Sequence, residues 1–225
     1  MVRWLFAQLG TPRRQERHLA IAALCQKRGL LPGPANLSTS FQVATTSGLG
    51  DPLFENSFTS PDGGVLAADY WRHGGKPWYA FSLLGFTVPD VNIPYVVVKR
   101  RDFPGVSWML GTEEVGLESI DFNSKFVVRT EDRRAAVMLM DEGMMQWVLD
   151  CQQVSFEMVG NRVAALVRRR AEPTYQPGLH PGHQDQSHSN PYQVDPVELE
   201  LLFRFWDGFV PRVPAILRTE FPSPT

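Results

Sequence analysis

The sequence is poor in cysteine. Its 225 residues include two cysteines, Cys25 and Cys151, one in each half of the chain. Because 43% of the residues are hydrophobic, the chain has enough apolar material for a core without disulfide staples. We therefore expect two reduced, packed thiols in a cytoplasmic protein, with a single disulfide between them as the alternative.

Excess charge and long apolar runs are also lacking. The 22 basic and 24 acidic residues leave a formal net charge of -2, whereas proteins that bind nucleic acid usually carry a basic excess or stripe. No apolar run reaches the about 20 residues that span a bilayer. We expect neither nucleic acid as a partner nor a transmembrane segment. The apolar N-terminus, with Trp4, Leu5 and Phe6, is expected to dock on the domain, and peripheral membrane contact through it is the alternative.

What is present is a succession of short periodic segments separated by glycine, proline and asparagine. Helical spacing predicts helices over residues 15–28, 133–140 and 142–151, and a further helix starting at Asp195-Pro196 and ending at Gly208 or Pro211. Alternation and β-branched runs predict strands over residues 65–72, 77–87, 95–100, 119–122, 125–129, 154–158 and 162–169. This order predicts an α+β fold in which an antiparallel sheet packs against a central helix pair and a C-terminal helix.

The expected domain organisation is simple. Residues 1–30 form an N-terminal helical segment, and residues 31–225 form a single α+β domain. Within that domain, residues 172–193 are rich in proline, glycine, histidine, glutamine and serine, which predicts a flexible loop.

Two stretches resemble a known family. Glu118, Phe122, Asn123, Phe126 and Val128 spell the pattern E-x-x-x-F-N-x-x-F-x-V, which precedes a helix containing a Met-Met pair. A later stretch at residues 207–214 reads D-G-x-x-x-R-V-P. About half of the chain in this way resembles a family of uncharacterised, mostly actinobacterial proteins. Since that family has no activity that we can name, the resemblance implies the fold and a single domain but no function.

A histidine-rich loop offers the ligands of a metal site. His180, His183 and His188 supply three imidazoles, the usual zinc or nickel ligands, and Asp185 is a possible fourth ligand. The loop lacks the rigid elements that normally hold such ligands, so a solvated loop is the favoured interpretation.

Asp69 and His73 are the candidates for hydrolytic chemistry, because a carboxylate can orient an imidazole as a general base. No activated-serine motif accompanies them, and a polar turn explains both residues. We therefore expect no catalytic residues and no cofactor, although an enzyme stays open as an alternative.

Two groups of residues are candidates for binding another protein. Arg100 and Arg101 follow one predicted strand and Arg168 and Arg169 end another, so that the four would form one anionic-ligand patch if those strands were neighbours. Met144 and Met145 would form an adaptable groove if they were exposed, although helical spacing favours a place in the core. The sequence thus favours a non-catalytic binding or scaffolding domain whose partner is another protein.

Overall fold

A computed structural model describes residues 11–33, 51–73, 79–103, 111–169, 172–174, 188–190 and 194–223. Within these ranges, nine strands form one antiparallel sheet in the order β1-β2-β3-β4-β9-β8-β5-β7-β6, and two more strands pair with each other. The strands are β1 (Leu31–Pro32), β2 (Asp51–Thr59), β3 (Val65–His73), β4 (Tyr79–Thr87), β5 (Ile93–Arg100), β6 (Glu113–Val115), β7 (Phe126–Thr130), β8 (Val154–Gly160), β9 (Arg162–Arg168), β10 (Glu172–Thr174) and β11 (His188–Asn190).

Helices cover one face of this sheet. They are α1 (Thr11–Gln26), α2 (Ile120–Lys125), α3 (Arg133–Leu139), α4 (Glu142–Cys151), α5 (Val197–Arg212) and α6 (Ala215–Glu220). The main hydrophobic core lies between the helices and the strands. Helix α5 contributes three buried phenylalanines to this core, Phe203, Phe205 and Phe209. The rings of Phe205 and Phe209 both contact Phe86 of β4 and Phe156 of β8, with centroid separations of 5.2–6.4 Å. The predicted sheet with its helix pair and C-terminal helix is confirmed.

The other face of the sheet, called the second face below, carries its own apolar cluster. Strand alternation separates the two faces, since Ala67 of β3 joins the helix-side core while its neighbours Leu66 and Ala68 join the second cluster. The members of that cluster come chiefly from β3, β4 and β9: Leu66, Ala68, Tyr70, Phe81, Leu83, Phe103, Ala164 and Leu166. The sheet therefore presents two distinct surfaces, of which only one belongs to the helix layer.

Caps and turns explain several of the element boundaries. The predicted helix pair begins at two capping aspartates: the Asp132 carboxylate accepts hydrogen bonds from the backbone of α3, and the Asp141 carboxylate accepts one from the backbone of α4. The β8–β9 hairpin turns at Gly160, whose φ of +61° suits glycine. Gly29 ends the N-terminal helical region with a φ of +73°.

One prediction of element type and two predictions of element ends are wrong. Residues 119–122 do not form a strand, because the Ser119 hydroxyl accepts a hydrogen bond from the Phe122 backbone and starts helix α2 instead. The sequence predicts Asp195 as the N-terminal cap of α5 and Pro196 as its first helical residue, but Pro196 is itself the cap and makes no side-chain capping bond. Helix α5 also continues past Gly208 and Pro211 to Arg212; a proline so near the end removes one hydrogen bond without stopping the last turn.

Candidate functional site

Asp69 lies in a buried ion-pair cluster on the helix side of the sheet. Arg17 of α1 donates to both carboxylate oxygens, from Nε to Oδ2 at 2.8 Å and from Nη2 to Oδ1 at 2.7 Å. Asn56 donates to Oδ2 at 2.8 Å, and Nη1 of Arg169 lies 3.4 Å from Oδ1. Arg169 itself stacks 4.0 Å above the ring of Trp71. All available positions around this carboxylate are therefore taken by structural partners.

The electrostatics of Asp69 follow from these ion pairs. Burial on its own raises the pKa of this carboxyl, but Arg169, Arg17 and Asn56 outweigh burial and hold the pKa below its usual value. Burial likewise lowers the pKa of Arg169 to about 10, which leaves the guanidinium charged at neutral pH. The structure describes the backbone of His73 but not its side chain, so the pairing of Asp69 with His73 stays a prediction.

The two methionines predicted to form a groove belong to the helix layer. Met144 is fully buried in the main core, and Met145 is partly buried against the same core. A groove built on this pair would require the core to open. The favoured interpretation of these residues as packing agrees with their places.

The four predicted arginines divide into exposed and buried groups. Arg100 and Arg168 lie at the same end of the sheet on strands that β8 separates, because β5 pairs with β8 and β8 with β9. Arg100 binds Asp102 through Nε and Nη2, both at 2.7 Å, and Arg101 lies 3.8 Å from Glu114. Arg168 is exposed and faces Tyr79, whereas Arg169 turns inward to Asp69.

The remaining chemical candidates are the histidine-rich loop and the two cysteines. His180 and His183 lie outside the described residues, and only the backbone of His188 is described, in β11. Across the described ranges, no three side chains of the ligating types converge as a metal site would require. Burial raises the pKa of the Cys25 thiol to about 12 and that of Cys151 to about 11, so both stay protonated and unreactive near neutrality.

A pair of cations on the second face stands out instead. Val97 of β5 is paired with Arg129 of β7, and Lys99 with Val127. Lys99 and Arg129 therefore project from the same face as diagonal neighbours. Arg168 projects from that face too, because it is paired with Phe81 of the second cluster. We call Lys99, Arg129 and Arg168 the cationic strip.

In the part of the chain that the structure describes, Lys99 and Arg129 of the cationic strip lack the carboxylate partners that Arg100 and Arg101 have, whereas Arg168 interacts electrostatically with Asp102. Arg129 donates only to neutral oxygens of Thr112, from Nε to Oγ1 at 3.1 Å and from Nη2 to the carbonyl at 2.8 Å. Lys99 makes no ion pair with any described residue. Its half-burial, and secondly the charge of Arg129, lower the pKa of its ammonium group. The folded chain thus holds Lys99 at an electrostatic cost.

Beside the cationic strip, the strand surface has an ordered floor. Val97, Ser155 and Glu157 are almost fully buried on the same face. The Tyr95 hydroxyl donates to Oε2 of Glu157 at 2.9 Å, and the Ser155 hydroxyl accepts from the Arg100 backbone at 3.2 Å. The floor is fixed by its own hydrogen bonds, and the apolar cluster of β3, β4 and β9 adjoins it.

The arginine patch predicted from the sequence includes Arg168 of this site but not Lys99 or Arg129. It contains Arg100 and Arg101, which follow Lys99 in the chain and have acidic partners. The signal that separates them is strand alternation: Lys99 shares a face with Val97, and Arg100 points the other way. Applied to β7, the same alternation places Arg129 beside Val127.

The residues of the family pattern have structural roles. The rings of Phe122 and Phe126 stack with centroids 5.0 Å apart in the core. The Asn123 side chain holds the backbone of Leu117 by two hydrogen bonds, of 2.6 Å and 3.2 Å. In the second pattern, Asp207 accepts two hydrogen bonds from Arg28. These contacts agree with a resemblance of fold.

The C-terminal pattern also fixes the crossing of α4 and α5. A Cβ atom added at Gly208 would lie 2.2 Å from Cζ2 of Trp147, so the indole ring rests directly on the α5 backbone. Arg212 covers the indole ring of Trp147 at 4.3 Å and donates to the Gly208 carbonyl at 2.8 Å.

Comparison with known proteins gives one relevant structural likeness. No family model matches the chain, and a search of curated proteins finds no match. The crystal structure of the mycobacterial trehalose monomycolate transport factor A, TtfA, is similar with a TM-score of 0.53 and 13% sequence identity. The alignment covers 92% of this chain and 98% of that one. At this identity the likeness shows the fold alone, and its mycobacterial source fits the actinobacterial resemblance without testing its motif.

None of the helices in the described ranges combines the length and the apolar character needed to cross a membrane.

Proposed function

We propose that this chain is a non-catalytic binding domain that associates with another protein through the cationic strip, whose three side chains are partly or fully exposed. The observation that carries the proposal is the cationic strip, where Lys99 is half-buried without a carboxylate partner among the described residues. A charge kept at a cost to stability, beside an ordered floor, is typical of a binding surface.

The chemistry of the other polar groups supports a role without catalysis. Asp69 is engaged by two guanidinium groups and an amide, and both thiols have raised pKa values. Asp69 is thus occupied by structural contacts, and the two thiols are held in their protonated, unreactive state. Two free thiols also support the cytoplasmic location included in the proposal.

The fold likeness extends the proposal to a biological class. The similar crystal structure is that of a transport factor, a protein named for assisting a transport process. We extend that role to this chain as an accessory that binds a component of a transport process.

The test is crosslinked capture of the tagged full chain from its native cells, read by mass spectrometry. The wild type is expected to retain a reproducible protein partner, and Lys99→Gln combined with Arg129→Gln is expected to lose it. The matched control is Lys27→Gln with Arg133→Gln, which also removes one lysine and one arginine, but from exposed positions on the helix side. Capture of no partner by the wild type would overturn the proposal, and equal capture by both double variants would move the contact away from the strip.

A further inference from the structure

We propose that the cationic strip binds a segment of acidic protein chain in extended conformation, with carboxylates at alternate positions. This inference rests on the proposed function and adds the chemistry of the partner. Its structural basis is the diagonal placement of Lys99 and Arg129 on neighbouring antiparallel strands.

The spacing of the two cations matches that of an extended chain. Diagonal neighbours on one face of an antiparallel pair lie about 7–8 Å apart. Side chains at positions i and i+2 of an extended segment lie on one side, about 6.6–6.8 Å apart. An Asp or Glu pair at i and i+2 therefore sets one carboxylate opposite Lys99 and the other opposite Arg129, with each side chain near its extended form.

The unpaired state of these cations favours an anionic occupant. Glu114 is opposite Arg129 in the β6–β7 register, yet its carboxylate is 3.8 Å from Arg101. Glu157, the buried acid of the floor, accepts from Tyr95. Neither acid forms an ion pair with Lys99 or Arg129, so a carboxylate from outside would relieve the repulsion between the two cations.

The surroundings favour a peptide over a lone phosphate or a membrane surface. The partly exposed side chains beside the two cations are Tyr95 and Val127, which give apolar contact for the residues that flank the carboxylates. A single phosphate is one compact anion, whereas the two cations are diagonal neighbours about 7–8 Å apart and match two separate carboxylates. A bilayer needs a broad basic surface, whereas Arg100 and Arg101 nearby are already paired with acids.

The test uses the ammonium pKa of Lys99 as its readout. The chain has four lysines, so the carbon next to each ammonium is resolvable by NMR in the full-length protein. The probe is an acetylated, amidated peptide containing Glu-Thr-Glu-Thr-Glu. The expected result is saturable binding that raises the pKa of Lys99, leaves that of Lys125 unchanged, and weakens about tenfold in Arg129→Gln.

Three other probes make the outcomes distinct. The same peptide with glutamine in place of glutamate, inorganic phosphate, and vesicles containing an anionic lipid are each expected to leave Lys99 unchanged. An equal shift with phosphate would reduce the strip to a simple anion site, and a shift with vesicles alone would assign it to a membrane; either result overturns the proposal. No shift with the acidic peptide also overturns it, while the capture experiment reports separately on whether a protein partner exists.

Discussion

At the scale of single residues, the strand position of Asp69 can be predicted from the sequence, but its ion-pair partners cannot. Its place in a strand follows from the alternation of β3. Its principal partner, Arg17, is 52 positions away on another element, and no local pattern connects the two. Charged residues of both signs are common on surfaces, so nothing in the sequence marks Arg17 and Asp69 as the pair that is buried.

The first prediction follows from this pairing. Asp69→Asn is expected to lower the free energy of unfolding by about 3–5 kcal/mol, because it leaves the guanidiniums of Arg17 and Arg169 buried without their shared anion. Chemical denaturation at pH 7 measures the change. The exposed Glu131→Gln is the control and is expected to alter stability by less than about 0.5 kcal/mol.

The pH dependence of the same substitution has a definite sign. Asp69 has a folded-state pKa below its ordinary value of 3.8, so its contribution is complete above that value and is lost as pH falls through the folded-state pKa. The difference in free energy of unfolding between wild type and Asp69→Asn should stay constant from pH 7 to about pH 4 and become smaller only below pH 4. A gap that closes near pH 6 would contradict the lowered pKa.

At the scale of elements, the sequence predicts best where a local signal sets both ends of an element. Helices α3 and α4 have aspartate caps, and β8 and β9 have a glycine turn between alternating strands. Helix α2 was missed because the Phe122 and Phe126 pattern fits alternation as well as helical spacing over so few residues. The hydrogen bonds of Ser119 and Asn123 decide the matter, and they depend on the fold of the preceding loop.

Helix α5 illustrates a second limit and gives the second prediction. Gly208 is a helix-breaking signal in the sequence, but it is required because Trp147 lies against it. Gly208→Ala should therefore destabilise the protein by about 1–3 kcal/mol through overpacking, although the same change in a free helix would stabilise it by about 1 kcal/mol. Thermal unfolding monitored by circular dichroism measures the difference.

The chain offers a matched control for this substitution. Gly143 lies exposed in α4, and a Cβ atom there would meet only Oδ1 of Asp141, at 3.5 Å. Gly143→Ala should leave stability unchanged or raise it. Replacing the indole with a smaller side chain in Trp147→Leu should recover part of the stability lost in Gly208→Ala. If Gly208→Ala stabilises the protein as Gly143→Ala does, Trp147 of α4 does not pack directly against Gly208 of α5.

At the scale of the whole molecule, the two faces of the sheet have different roles. The helix face contains the main core, the buried ion pairs and most of the residues of the family pattern, so its features follow from stability. The second face combines a buried apolar cluster, which also stabilises the fold, with the cationic strip. No stability argument requires the strip. The sequence predicted the first face well because apolar periodicity reports burial. It could not predict the second, because the strip depends on strand order and register.

The third prediction tests whether the cationic strip is kept at the expense of stability. The folded state lowers the pKa of Lys99 below its ordinary 10.5 through burial and the charge of Arg129. Between these two pKa values the unfolded chain holds more protons, so Lys99 makes stability rise with pH in that window and reduces stability at neutral pH. Lys99→Met should therefore stabilise the protein at pH 7, by about 0.5 kcal/mol.

The pH profile separates this explanation from a general gain in apolar packing. The advantage of Lys99→Met over wild type should be largest near pH 7 and shrink as alkaline pH removes the charge from Lys99, whereas a packing gain would be independent of pH. Lys125→Met is the control, since Lys125 is paired with Asp121 at 2.9 Å and its loss should bring no stabilisation. If Lys99→Met destabilised the protein at pH 7, the ammonium would be held by favourable contacts within the chain, and Lys99 would not be kept for binding an anion. If Lys99→Met is more stable than wild type and no longer binds the acidic peptide, Lys99 lowers the stability of the fold and is required for binding.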